Sequence, residues 1–557
     1  MKKIFAIICL ITFQVLFCQN PDYANHRIIV AFNENETFNN LDDISTNDLL
    51  GFLFLEYNIK SIKLLDKAYN KSSRINERPI SIVFNHNIDV NNLINRLNLT
   101  GLFKYVEPDY INYGSGKKLN SEKNNNTYLK PNVFNPVTPN DTYFFRQWGL
   151  HNDGTFSLSP ASIDADVDMT DAWSLTTGNP NITMAILDSG IRMSHPEFAG
   201  RFWVNTSEVL DANDSDSNGY IDDLNGWDFV NDDNNPADDH GHGTNVSGIA
   251  VATGNNGIGY AGIDWSCKIM PLKVLNSNNS GFNSDIIESF YYAIDKGAKI
   301  ISISIGGSGF SVPYQDAVNA AYNNNIVIVA CMMNFNNNTP YYPAAFTNTI
   351  AVGSTDPNDE RTEPFFWSST SGSNYGAHID VVAPGNYMYG LASGSDTNYN
   401  SYWGGTSQAT PLVSGICSLI LDLSPNLSVD QVRNIINSTA EDQVGDAQDT
   451  PGWDQYYGNG RVNAFAALQQ TLSINDNDLF NELAVYPNPV NNKLFIKSTS
   501  QNIDYIVVTN INGQIIFEKN IDSNESYIDC KSLGSGVYFV ELNNTEGFKT
   551  IRKFIKL

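Results

Sequence analysis

Basic residues are scarce in this chain: 33 Lys and Arg stand against 60 Asp and Glu, for a net charge of -27 over 557 residues. The missing Lys/Arg surplus argues against nucleic acid or anionic membrane as a partner, because nothing is available to neutralise phosphates. Long apolar runs are missing too. Ile4 to Phe17 is the longest, and it is too short for a confident span, so no transmembrane anchor is expected in the mature chain. Placed after Met1-Lys2-Lys3, that run reads as a signal peptide over residues 1–18, cut near Cys18-Gln19. Bulky Phe17 argues against lipidation of Cys18. Of six cysteines, only Cys267, Cys331, Cys417 and Cys530 lie beyond the signal, spaced too widely for a disulfide framework. Cys331 and Cys417 sit in apolar runs and read as small buried hydrophobes. There is no internal repeat.

The length requires several domains. Residues 27–111 read as a small α+β unit, with strands at Arg27 to Phe32 and Ile80 to Phe84, a helix from Val90 to Leu97, and a closing Lys104 to Tyr110. An asparagine-rich stretch follows, and residues 112–140 are assigned as a linker that holds a processing cut. From Asp141 to Ser473, short apolar runs alternate with helical patterns, the mark of an α/β domain with a parallel sheet covered on both faces. Its strands are expected at Thr183 to Leu187, Lys268 to Leu275, Ile300 to Ile305, Ile326 to Ala330, Thr349 to Gly353 and Ile379 to Ala383. Residues 474–482 are mostly polar and read as a second linker. Residues 483–557 read as an all-β, sandwich-like module with Asn512-Gly513 as a hairpin turn.

Three short segments carry chemistry. Asp188-Ser189-Gly190 ends the first strand, His240-Gly241-His242-Gly243-Thr244 lies downstream, and Gly405-Thr406-Ser407-Gln408-Ala409-Thr410-Pro411 delivers a serine into a helix start. A serine hydroxyl is a weak nucleophile that needs a base, and the base needs a carboxylate to fix its tautomer. Ser407, His242 and Asp188 fill those roles in an order known for such triads. Gly415 lets the helix pack close, and Pro411 falls in its first turn. His240 and His242 as zinc ligands is the weaker alternative, since no further ligand at a recognised spacing accompanies them. A second constellation, Asp214-x-Asp216-x-Asn218-Gly219-Tyr220-Ile221-Asp222-Asp223, alternates oxygen side chains before a turn glycine and suits calcium, Tyr220 through its backbone carbonyl. The plainer alternative is a solvated acidic loop.

Over residues 141 to 470 these motifs together resemble the subtilisin-like serine proteases, or subtilases. Asp188-Ser189-Gly190-Ile191, His242-Gly243-Thr244 and Gly405 to Pro411 match the family's aspartate, histidine and serine motifs. The resemblance implies that Ser304-Ile305-Gly306-Gly307 is an edge that pairs with an extended peptide substrate, and that Asn334 supplies the oxyanion hole. It also implies a structural Ca2+ at the acidic loop, held by Asp214, Asp216, Asn218, Tyr220, Asp222 and Asp223. Residues 27–111, ending Val106-Glu107-Pro108-Asp109-Tyr110, resemble a subtilase propeptide. The tail, with Val485-Tyr486-Pro487-Asn488-Pro489, Gly536-Val537-Tyr538 and a basic end, resembles the sorting domain of the type IX secretion system. The implied protein is a secreted serine endopeptidase acting on proteins or peptides, delivered by type IX machinery to the outside of a Gram-negative cell.

Four positions depart from the family pattern: Asn245, Gln408, Leu412 and Met333, the last in place of a usual glycine beside Asn334. None removes a proton-transfer group. Met333 is expected to narrow the primary specificity pocket or shift Asn334, altering specificity and not abolishing activity. A catalytically silent surface-binding protein on the same scaffold is the alternative from a different class.

Overall fold

The computed structural model describes residues 22–33, 41, 44, 56–69, 75, 77–120, 136–498, 504–510, 514–520, 525–543 and 549–557. The expected signal peptide, residues 121–135 of the first linker and the Asn512-Gly513 turn lie outside the described residues. Two compact units form: residues 1–422 with 426–465, and residues 423–425 with 466–557.

The first unit opens with β1 (Tyr23–Phe32), β2 (Ile59–Leu64), β3 (Ile80–Phe84), α1 (Val90–Asn98) and β4 (Phe103–Gly114). β1 is the centre of an antiparallel sheet, flanked by β4 and β3. One face of α1 supplies Val90, Leu93 and Leu97 to the core beneath, the helical spacing read from the sequence. Asp89 caps that helix by accepting from the Asn92 N–H at 3.0 Å. The stretch assigned as a linker from residue 112 begins inside β4, and β5 (Lys117–Asn120) follows after two residues. Asparagine and glycine weaken a strand by propensity, but pairing on both edges of β4 outweighs that local preference.

The catalytic-type domain is built on β6 (Thr183–Asp188), β7 (Trp227–Asp228), α2 (His242–Val251), β8 (Lys268–Lys273), β9 (Ser280–Phe282), α3 (Asn283–Asp295), β10 (Ile300–Ile303), β11 (Ile305–Gly306), α4 (Val312–Asn323), β12 (Val327–Cys331), β13 (Ile350–Thr355), β14 (Val381–Pro384), β15 (Met388–Gly390), β16 (Ser401–Gly404) and α5 (Thr406–Leu423). Seven strands form a sheet in the order β14-β13-β12-β10-β6-β8-β7, parallel throughout. Its strands β10, β12 and β13 are buried on both faces, which explains why Val, Ile and Ala dominate them. The single strand expected over Ile300 to Ile305 is divided: β10 stays in the core sheet, and past Ser304 the chain turns out so that β11 pairs with β4. The ends of β6, β10 and β12 place Asp188, Ser304 and Asn334 on one edge, the edge where open α/β sheets bind ligands.

In the second unit, β17 (Leu483–Tyr486), β18 (Lys493–Ser498) and β21 (Glu525–Asp529) form one antiparallel sheet, and β19 (Tyr505–Asn510), β20 (Ile515–Asn520), β22 (Gly536–Asn543) and β23 (Lys549–Lys556) form another. Leu494, Ile496 and Ile528 from the first meet Ile506, Val508, Val540, Leu542 and Phe554 from the second in a shared core. The polar stretch assigned as a second linker is helical, within a helix over Ala464–Glu482. A helix segment without an apolar stripe leaves no periodic signal to read.

Candidate active site

Asp188 ends β6 and His242 begins α2, and the two side chains meet: Asp188 Oδ1 lies 2.7 Å from His242 Nδ1. The same oxygen accepts the Ser189 N–H at 2.8 Å, which fixes the carboxylate. His242 is fully buried, and a Cβ on Gly243 would lie 2.1 Å from the Gly190 carbonyl oxygen, so only glycine allows α2 this close to the β6 end. Trp403 sets its ring edge-on to His242, with centroids 5.7 Å apart. Burial lowers the His242 pKa, while the Asp188 carboxylate and the hydrogen bonds to Asp188 and Ser115 raise it; the net direction is upward from 6.5.

Ser407 is the second residue of α5. Its hydroxyl donates to the Ser304 carbonyl at 3.0 Å, and the Ser304 hydroxyl donates back to the Ser407 carbonyl at 2.9 Å. Asn334 follows β12 by three residues. Its Oδ1 accepts from the Thr406 N–H at 2.8 Å and from the Thr406 hydroxyl at 3.0 Å, which orients its Nδ2 into the cleft. The four residues singled out for catalysis therefore line one cleft. Both ring nitrogens of His242 have hydrogen-bond partners, Asp188 Oδ1 and the Ser115 carbonyl.

The cleft is occupied by the chain's own segment. β4 runs between two edges, Ile111 to Tyr113 opposite Phe282 to Ser280 on one side and Tyr113 and Gly114 opposite Gly306 and Ile305 on the other. Beyond it the Ser115 N–H donates to the Ser304 carbonyl at 3.1 Å. Lys117 to Asn120 then pair with Gly404 to Ser401. The Ser115 carbonyl lies 2.6 Å from His242 Nε2, and Asn334 Nδ2 donates to the Ser115 hydroxyl at 2.6 Å. Ser304, Ile305 and Gly306 thus form an edge that holds an extended peptide by strand addition. Met333 has φ +73° and is 3 % exposed, its sulfur against Gly306 and 3.7 Å from Cys331 Sγ. Ser115 had no sequence signal beyond its neighbourhood; only strand pairing brings it here.

The acidic loop divides. Carboxylate oxygens of Asp214 and Asp216 come within 4.8 Å of each other and of Glu208, which the sequence pattern did not include. Glu208 is 5 % exposed; its Oε1 accepts the Asp216 N–H at 2.9 Å and its Oε2 is buried without a hydrogen-bond donor. The side chains of Asn218, Asp222 and Asp223 have other hydrogen-bond partners. Asn218 Oδ1 accepts the Tyr220 N–H, Asp222 accepts from the Asp211 N–H, and Asp223 accepts from Asn205, Asn218 and the Tyr292 hydroxyl. The Tyr220 ring is in the core, its hydroxyl donating to Glu288 at 2.9 Å. A buried oxygen with no donor, close to two more carboxylates, fits a hard cation that takes oxygen ligands.

A serine at a helix start, an imidazole held by a carboxylate, an oriented amide and a strand-pairing edge define a hydrolase of the serine type that works on polypeptide. The chain belongs to the subtilase family, whose model matches residues 179–460, and it is a serine endopeptidase. A second model, the secretion system C-terminal sorting domain, matches residues 484–557. Thermitase of Thermoactinomyces vulgaris is 36% identical over 333 residues, 60% of this chain and 99% of that protein. The thermophilic serine proteinase of Bacillus sp. strain AK1 is 33% identical, covering 61% of this chain and 72% of that protein. Subtilisin DY of Bacillus licheniformis is 34% identical, covering 52% and 91%. Among the described residues no helix is long and apolar enough to cross a membrane.

Proposed function

We propose that this chain is the latent precursor of a calcium-stabilised, secreted serine endopeptidase that matures by cutting itself between Ser115 and Gly116. One observation carries the reading: the uncut strand passes through the cleft with the Ser115 carbonyl 2.6 Å from His242 Nε2. In this mechanism Ser407 Oγ attacks the carbonyl carbon, His242 Nε2 takes its proton and returns it to the leaving amine, and Asp188 holds the imidazole in position. Asn334 Nδ2 and the Ser407 N–H stabilise the oxyanion, and water then releases the acyl group.

The uncut state stops short of that geometry. The Ser115 hydroxyl holds the Asn334 amide and Ser407 donates to Ser304, so the Ser115 peptide must turn its carbonyl towards Asn334 before attack. Residues 22–115 then act as an inhibitory propeptide anchored by β4. Arg27 reinforces that anchor through Asp109 at 3.0 Å and Asp285 at 3.1 Å. Glu208, Asp214 and Asp216 would hold the calcium beside Lys296, which already pairs with Asp216 at 2.5 Å, and the ion would tie the loop down. The signal peptide and the sorting domain support delivery by type IX machinery to the outside of a Gram-negative cell.

The test is purified precursor beside its Ser407→Ala variant. Unmutated protein should release a fragment ending at Ser115, leave a mature chain beginning at Gly116, and hydrolyse casein; the variant should do none of these. Casein hydrolysis that survives Ser407→Ala would refute the assignment of the nucleophile.

A further inference from the structure

Three consecutive small residues, Gly114, Ser115 and Gly116, cross the cleft, and the cleft closes tightly around the two glycines. A Cβ on Gly114 would lie 2.3 Å from Asn279 Oδ1 and 2.6 Å from Asn279 Cγ. Asn279 has little freedom to retreat. Its N–H donates to the Asn276 carbonyl at 2.8 Å, its carbonyl accepts the Gly114 N–H at 3.0 Å, and its side-chain Nδ2 donates to the Gly114 carbonyl at 3.0 Å. One asparagine therefore clamps both sides of a glycine, and a side chain there would have to break the clamp.

On the other side of Ser115, Gly116 has φ +117°, a conformation that residues with a Cβ rarely adopt. A Cβ there would also lie 2.6 Å from Gln408 Oε1 and 3.3 Å from the Gly404 carbonyl oxygen. Gln408 is fixed in turn by donating from Nε2 to Asn245 Oδ1 at 3.1 Å, with both side chains fully buried. Gln408 and Asn245 are two of the positions at which this chain departs from the family pattern, and here they form one unit facing the substrate path. Beside Ser115 itself, a 280 Å³ cavity bordered by Met333, Phe335 and Trp367 leaves room for a side chain.

We infer that the mature enzyme selects glycine on both sides of the residue whose carbonyl is attacked, and so cuts glycine-rich segments of the form Gly-X-Gly, between X and the second glycine. This rests on the protease reading above and names its substrate class. The enzyme's own processing segment is the first such substrate.

The test uses the mature enzyme and internally quenched peptides spanning Ile111 to Asn120: the native sequence, a Gly114→Leu analogue and a Gly116→Leu analogue. The native peptide should exceed each analogue in kcat/KM by at least about tenfold, as expected for a pocket that rejects a few carbons. Asn279→Ala should recover cleavage of the Gly114→Leu peptide alone, whereas Gln408→Ala should leave the Gly116→Leu peptide poorly cleaved, because the φ of +117° disfavours a side chain whatever the space. Equal cleavage of all three peptides by wild-type enzyme would overturn the inference and leave the protease reading standing. Protein that cleaves neither peptide nor casein and takes no fluorophosphonate label would overturn both.

Discussion

At the scale of single residues, His242, the proposed general base, would set when the proposed precursor acts. Its pKa stands above 6.5: burial opposes the charged form, but the Asp188 carboxylate and the hydrogen bonds at both ring nitrogens favour it more. Only the neutral imidazole can take a proton from Ser407, so self-processing should accelerate as pH rises, with its midpoint above 6.5. A time course of Gly116-started product across pH checks this, and a rate that falls over the same range would contradict it. Met333 is the other residue with a direct readout. It combines a left-handed backbone with a side chain laid against Gly306. Met333→Gly removes both the strain and the bulk. It should extend the tolerated X residue towards larger side chains, seen as a shift in a peptide-library cleavage profile.

At the scale of elements, α5 shows how close packing positions Ser407, the proposed nucleophile. Gly415 faces Ile263, and a Cβ there would come within 2.4 Å of the Ile263 Cβ, a branch point that cannot swing aside. Gly415→Ala gains about 1 kcal/mol in helix propensity. Overpacking a well-filled core costs about 1–3 kcal/mol, so the net change should be destabilising, measurable as a lower urea midpoint. β4 shows the opposite kind of dependence. Its outer half carries Asn112 and Gly114, a sequence that reads as loop, yet it is a strand because two edges accept it. An element made by pairing is visible only when its partners are known.

At the scale of the whole molecule, the acidic loop and the tail make separable contributions. Chelation should lower the melting temperature of the wild-type protein, and Glu208→Ala should lower it in calcium while making it insensitive to chelator. Identical melting in calcium and chelator would refute a bound ion there. Legibility from sequence follows the same division. Asp188, His242, Asn334 and Ser407 were legible because each sits in a short motif whose glycines and apolar run are local constraints. The parallel sheet was legible because strands buried on both faces must be apolar throughout. Ser115 and Asn279 were not, since each gains its place through contacts with residues far along the chain, and Glu208 was not because it lies outside the spaced acidic pattern that it joins. The helix through Asn475 to Glu482 was missed for a different reason, the lack of any apolar stripe.

The sequence by itself determined the α/β architecture and singled out Asp188, His242, Asn334 and Ser407, which the fold gathers around one cleft, because these follow from local spacing and burial periodicity. The tertiary structure alone decided that the segment after Tyr110 is a strand inside the cleft, that Glu208 joins the acidic loop, and that Asn279 and the Gln408–Asn245 pair close around glycines. Those facts depend on which distant surfaces meet, and meeting is set by packing and backbone pairing over the whole chain.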